Sequence, residues 1–337
     1  MKNIVSLILF FLIYIHTFGQ DSAIPLWGNQ DAYLVNQTEK TFQLVDSLLS
    51  EYPPTIEKPL SSRKAALLLL DGVLHDTRLD GNKTLSKFID YRINIVLEDL
   101  KQPINKGMKV YKLYNHSFIV KTRNATVAFD LYRGGVMQER SSLISDEIMK
   151  AIVEECDIMF LSHNHQDHID TMVVKMFTDK EKQVIAPDNC MKENEKVTHI
   201  RSEQIIHKTF KVPGEKLRVK ILPGHQSELI NNIYVVTFQE GITVAHTGDQ
   251  YSKEDLVWLS EVNENIPVLD VLLINCWTNS LTETIEGFDP KLVITGHENE
   301  LGHSIDHREA YWLSYDKLEK VRQPNCLMTW GECLWYK

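Results

Sequence analysis

The densest group of metal-binding side chains in the chain is Ser162-His163-Asn164-His165-Gln166-Asp167-His168, where three histidines and an aspartate fall within six residues. Imidazole nitrogens and carboxylate oxygens are good ligands for zinc and similar divalent ions, at about 2.0–2.1 Å for Zn–N. If the segment leaves a strand in extended conformation, His163 and His165 point the same way. Asp167 and His168 then turn toward a second position, so the spacing offers two adjacent metal sites. The competing reading is a solvated loop that happens to be His-rich, which four ligands in six positions disfavour.

Three later residues repeat the placement, each at the end of an apolar run. Val219–Leu222 with Pro223-Gly224 delivers His225, Ile242–Ala245 with His246-Thr247-Gly248 delivers Asp249, and Leu292–Thr295 with Gly296 delivers His297. The glycine before each lets the backbone turn tightly around a crowded site. Any one of the three is an ordinary loop residue; in order behind the first cluster, they extend it. His303 lies six residues after His297 and competes with it for the last position. The pair is not an HExxH motif, because two zinc histidines on one helical face need i, i+4 spacing. Strand-end placement favours His297 and leaves His303 to touch substrate or to hydrogen-bond a ligand side chain. His246 and His307 read as structural or surface residues.

The elements that must carry these residues follow from periodicity. Residues 38–104 show helical i, i+3/i+4 spacing, as in Leu85, Phe88, Ile89, Ile93 and Val96. From Met108 the period changes to short strands at 110–113, 117–120 and 126–129, then a helix from Ser145 to Glu155 and a strand at 158–161. Further strands are expected at 183–186, 217–222, 232–238, 242–245, 270–275 and 291–295, with helices at 171–179, 253–262 and 308–320. Strand groups followed by alternating helices and strands predict an α/β protein, two sheets with helices outside: an αββα sandwich with an N-terminal helical extension.

The motifs HxHxDH at 163–168, PGH at 223–225, TGD at 247–249 and GH at 296–297 resemble the metallo-β-lactamase superfamily. The likeness covers about residues 108–337. It implies that His163, His165 and His225 bind one metal, that Asp167, His168 and His297 bind a second, and that Asp249 bridges the two. The segment Tyr114-Asn115-His116-Ser117-Phe118 further resembles the branch holding ascorbate-6-phosphate lactonase and the N-acyl-phosphatidylethanolamine phospholipase D enzymes. His116 is not carried over as a ligand; it is read as a core residue or a contact to one. A histidine at 165, where the flavodiiron oxygen reductases have a carboxylate, argues against redox iron chemistry, and Asp249 argues against a true β-lactamase.

With 337 residues and a net charge of −10, the chain has ample core and no broad basic surface for nucleic acid. Residues 1–20 carry Lys2, an apolar run from Ile4 to Ile15 and a small Gly19, the pattern of a cleaved signal peptide, with an uncleaved N-terminal anchor as the alternative. That run is too short to span a bilayer comfortably. The expected layout is therefore a signal at 1–20, a helical region at 21–106 and a catalytic domain at 107–337 of an exported, periplasmic or extracellular protein. Of five cysteines, Cys326 and Cys333 flank a turn and are candidates for a bridge, while buried free thiols are the alternative. The function expected is a metal-dependent hydrolase with two divalent ions, zinc suiting the ligands best, acting on a small-molecule or lipid ester, lactone or phosphodiester through a water between the metals. Asp167 and Asp249 are its catalytic carboxylates. The alternatives are β-lactam hydrolysis and a metal-binding protein of the same fold without activity.

Overall fold

A computed structural model describes residues 28–57, 60–75, 83–135 and 142–337. The expected signal at 1–20 lies outside the described residues. The helical stretch resolves into α1 (Gln30–Glu51), α2 (Ser61–Leu74) and α3 (Lys83–Leu100). Each buries one stripe; in α3 this is Leu85, Phe88, Ile89, Ile93, Val96, Leu97 and Leu100.

Two seven-stranded sheets follow. The first is built from β1 (Met108–Lys112), β2 (Phe118–Lys121), β3 (Thr126–Phe129), β4 (Ile158–Phe160), β5 (Gln183–Ala186) and β6 (Thr198–His199), with the last strand of the chain, β14 (Glu332–Tyr336), beside β1. The second runs from β7 (Ile206–Lys211) through β8 (Lys216–Gln226), β9 (Leu229–Thr237), β10 (Thr243–His246), β11 (Val271–Asn275) and β12 (Leu292–Gly296) to β13 (Asn325–Cys326). Each sheet is antiparallel on one side and parallel on the other: β3 to β6 and β10 to β13 pair in parallel. Parallel pairs need crossovers, supplied by α4 (Asp146–Glu155) and α5 (Thr171–Asp179) in one sheet and by α6 (Leu256–Leu259), α7 (Leu281–Phe288) and α8 (Tyr311–Leu318) in the other.

The inner faces of the sheets meet through Val110, Phe118, Phe129, Phe160, Tyr234, Val244, Leu273 and Ile294, all buried. A second core lies under the helices and is continuous from α1 to α3 across to Tyr114, Tyr311 and Trp330. Two buried arginines fasten the N-terminal helices to the end of the chain. Arg63 donates to both oxygens of Glu332, at 2.7 and 2.6 Å, and to the Leu327 carbonyl. Arg92 donates to Asp46 and to the Trp330 carbonyl.

The αββα sandwich expected from periodicity is the fold observed, with local differences. The helix expected at 253–262 is a 3-10 turn, the four-residue α6 and another 3-10 turn. The strand expected to end at Leu222 runs on to Gln226, because Pro223 to Gln226 stay paired with Leu229 to Asn232. Helix α7 and edge strands β6 and β7 were not foreseen by the pattern. All five cysteines are free; Cys326 and Cys333 form no bridge, and burial rather than pairing accounts for Cys156, Cys190, Cys276 and Cys326.

Candidate metal centre

The polar cluster forms where the carboxyl ends of the parallel strands converge, the usual place for a ligand in such sheets. Strand β4 delivers Ser162 and His163, β10 leads to Asp249, β11 ends at Asn275 and β12 leads to His297. The 163–168 segment is followed by Asp170, whose carboxylate caps α5 by accepting from the amides of Met172 and Val173 at 3.0 and 3.3 Å. Such a cap contributes about 1 kcal/mol and stops the loop from unwinding into the helix. Two glycines are required by close approach. A Cβ at Gly248, whose φ is +53°, would lie 2.3 Å from Ser162 Cβ, and one at Gly296 would lie 2.2 Å from His116 Nδ1.

Asp167, His168, Asp249 and His297 each place a ligand atom within 4.8 Å of the others, as do His163, His165 and Asp249. Asp249 belongs to both groups. His168 Nε2 stands 3.2 Å from Asp249 Oδ1, and His297 Nε2 is 3.0 Å from Asp167 Oδ2 and 3.5 Å from Asp249 Oδ2. His163 Nε2 is 3.7 Å from Asp249 Oδ2. Of the seven residues expected, six converge. His225 stands in neither group, and its Nδ1 lies 3.2 Å from each oxygen of Asp255.

Of the two late histidines it is His297 that joins the cluster, with φ +77°. His303 lines the same cavity, its ring 5.9 Å from that of His297 and 5.6 Å from Trp277. His116 is buried against Phe118 and against His246, whose ring is 4.4 Å away; it holds no carboxylate. His246 donates from Nε2 to the His116 carbonyl at 3.1 Å and accepts from the Gly248 amide, a structural role as expected. His307 is exposed beside Asp306.

Several partners of the cluster were not singled out in the sequence. Asp130, 1% exposed, accepts from the Ser162 amide and hydroxyl at 2.7 and 2.5 Å and holds His168 Nδ1 at 2.8 Å. Asn115 donates to Asp167 Oδ2 at 3.1 Å, and Asn231 Oδ1 accepts from the Asp249 amide at 3.1 Å. Asn275 and Gln226 donate to the two oxygens of Asp249. Asp130 and Asn275 carry a signal, since each also ends an apolar run, Thr126–Phe129 and Val271–Ile274.

The charges are consistent with a cation site. Burial raises the carboxyl of Asp249 and of Asp167, but the neighbouring His168 and His297 overcome it and hold both well below the ordinary range. Burial likewise lowers His297, yet Asp249 and Asp167 lift it to about 10, and they lift His168 as well. His163 is pushed down to about 3 by burial and by His168, so it is neutral. Its Nε2 and that of His168 are buried without a hydrogen-bond partner. Buried nitrogens facing carboxylates, with no partner of their own, are a donor set that fits divalent ions.

A cavity of about 490 Å3 opens over the cluster, walled by Gln226, Leu229, Tyr251, Asn275, Trp277 and His303. The His/Asp cluster thus sits at the carboxyl edge of both sheets of the αββα sandwich. The sequence model of the beta-lactamase superfamily domain matches residues 109–297, more than half of the chain. The chain therefore belongs to the metallo-β-lactamase superfamily. None of the curated proteins matches it by sequence. Among solved structures it is similar to a metallo hydrolase of the archaeon Ignicoccus hospitalis, with TM-score 0.51 and 16% identity over 69% of this chain and 99% of that one. A protein of Veillonella parvula described as a possible metal-dependent hydrolase gives TM-score 0.52 and 12% identity, over 68% and 99%. The isothiocyanate hydrolase from Delia radicum gut bacteria gives 0.50 and 13%, again over 68% and 99%. These likenesses concern the fold.

Proposed function

We propose that the protein is an exported hydrolase that uses two divalent ions, zinc by the nature of its ligands, to cleave an uncharged carboxylic ester or lactone. The observation that carries this reading is Asp249, shared by two ligand groups under one cavity. His163 and His165 would hold one ion and Asp167, His168 and His297 the other, with Asp249 between them. His225 would complete the first set, its Nδ1 fixed by Asp255 and its other nitrogen left for the metal, the common carboxylate–histidine arrangement. Two bound ions would supply polarisation of the scissile carbonyl and a water of lowered pKa.

The chain's own side chains do the rest. Asp249 Oδ2 faces His163 and His297, so this carboxylate would be shared by the two ligand groups. Asn275 and Gln226 restrain that carboxylate from opposite oxygens, so it stays aligned through the reaction. Trp277 and Leu229 give the wall an apolar surface that displaces water around the bond to be cleaved. His303 lines the wall of the cavity, where its ring would contact the leaving group.

The likeness at Tyr114–Phe118 is to a branch with both a lactonase and a phosphodiesterase, so the cavity has to choose. Its described walls present Trp277, Tyr251, Leu229 and the acid Glu228, a surface suited to a neutral acyl group. Zinc-loaded protein assayed against γ- and δ-lactones, p-nitrophenyl esters and bis(p-nitrophenyl) phosphate, with and without chelator, tests this. Chelator-sensitive turnover of the lactones or esters is expected. Turnover of the phosphodiester alone would move the reading to phosphodiester substrates, and no chelator-sensitive turnover of any probe would overturn it.

A further inference from the structure

Helix α2 lies outside the 109–297 region that defines the family, yet it reaches the segment that carries His297. We infer that α2, through Asp71, is the positioning element for the second ligand group, holding residues 297–312 so that His297 stays against Asp167 and Asp249. The inference rests on the reading of His297 as a metal ligand.

Asp71 is 4% exposed on the buried face of the helix, beside Leu67, Leu70 and Leu74 and two turns from Arg63. A carboxylate is buried there at a cost, and its three hydrogen bonds show what offsets it. Oδ1 accepts from Asn299 Nδ2 and from the Tyr311 amide, each at 2.8 Å, and Oδ2 accepts from the Trp312 amide at 3.1 Å. Asn299 is two residues beyond His297. Tyr311 and Trp312 begin α8, whose own cap residue is Ala310, without a side-chain oxygen. The free amides at that helix start are thus capped by a carboxylate from 240 residues away.

The same helix grips the segment again from its last turn. Arg308 donates to the Leu74 carbonyl at 3.1 Å and, from its other nitrogens, to the carbonyls of His303 and Leu301 at 2.8 and 3.3 Å. Between these ties the backbone is held in an unfavourable shape. His297 and Asn299 both sit in the left-handed region, φ +77° and +54°. Residues with side chains keep that conformation where their surroundings impose it. Asn299 is fully buried and its amide is fixed to Asp71, so the tie acts on the turn that aims His297.

The test uses the full chain loaded with zinc and compares Asp71→Ala, Asp71→Asn and His297→Ala. Zinc affinity is read by competition with a chromophoric chelator, and folding by thermal melting. Asp71→Ala should weaken the second zinc about 10-fold, the lower end of what loss of a supporting partner costs, and leave the first zinc unchanged. Asp71→Asn keeps an oxygen for Asn299 and should restore most of that affinity. If Asp71→Ala does not fold, Asn299→Asp, which sets two carboxylates against each other, should weaken the second zinc in the same way. Wild-type affinity for both zincs in a variant that melts lower would overturn the inference, leaving Asp71 as an anchor of α2 alone. If His297→Ala still binds both zincs as tightly as wild type, the ligand reading itself fails, independently of Asp71.

Discussion

Replacing Asp130 by asparagine isolates the role of a residue that touches no proposed metal directly. The carboxylate is buried and holds three donors, the Ser162 amide, the Ser162 hydroxyl and His168 Nδ1. Asparagine keeps the shape and one acceptor oxygen but presents an NH2 group where the second oxygen stood. His168 then faces either a donor or a neutral acceptor, and loses a charge-assisted bond of about 1.5–3 kcal/mol. Because about 1.4 kcal/mol is a factor of ten, the second metal should bind about 10- to 100-fold more weakly. Alanine is harsher: it leaves the Ser162 amide and His168 Nδ1 buried without an acceptor, at about 1–3 kcal/mol each. Competition titration with a chelator reads the affinity of each metal, and urea unfolding reads stability. Asp130→Asn with wild-type affinity for the second metal would refute the reasoning that this carboxylate orients His168.

Other outcomes follow from the same geometry. His225→Ala should weaken the first metal while leaving the second in place, and Asp255→Asn should do so less, as counted by metal analysis after dialysis; unchanged occupancy in His225→Ala would exclude it as a ligand. Burial raises the Glu332 carboxyl, but Arg63 holds it below the ordinary range. Its contribution to stability is therefore present above the unfolded carboxyl pKa, about 4.3, and is lost as pH falls through the lower folded value. Glu332→Gln should lower stability by about 3–5 kcal/mol at neutral pH by leaving Arg63 unpaired, and should flatten the decline of the urea midpoint below pH 4.5. An equally steep acid decline in the variant would show that Glu332 is not its source. His303→Ala should keep both metals and lose turnover with little change in KM; loss of a metal instead would make His303 a ligand.

Much of the candidate site was legible because its residues end apolar runs, and an apolar run that stops at a polar residue marks a strand leaving the core. That is how His163, Asp249 and His297 can be found. His225 is the instructive difference. Its run continues as a strand through Pro223, so His225 lies within β8 and not in a loop beyond it, and its Nδ1 meets Asp255. Asn115, Asn231 and Gln226 are single polar residues whose role arises only when distant strands are brought together. Asp71 is the clearest limit: an aspartate in a leucine-rich helix reads as the solvent side, while the fold buries it on the segment that carries His297. The helical region shows the same limit, since an amphipathic stripe states that something is covered and not what covers it.

Counting zinc in the intact protein by native mass spectrometry tests the central claim most directly. The account predicts two zinc ions in the wild-type chain and at most one in Asp249→Ala, with both proteins folded by circular dichroism. Two tightly bound zinc ions in folded Asp249→Ala would contradict a centre built on one shared carboxylate.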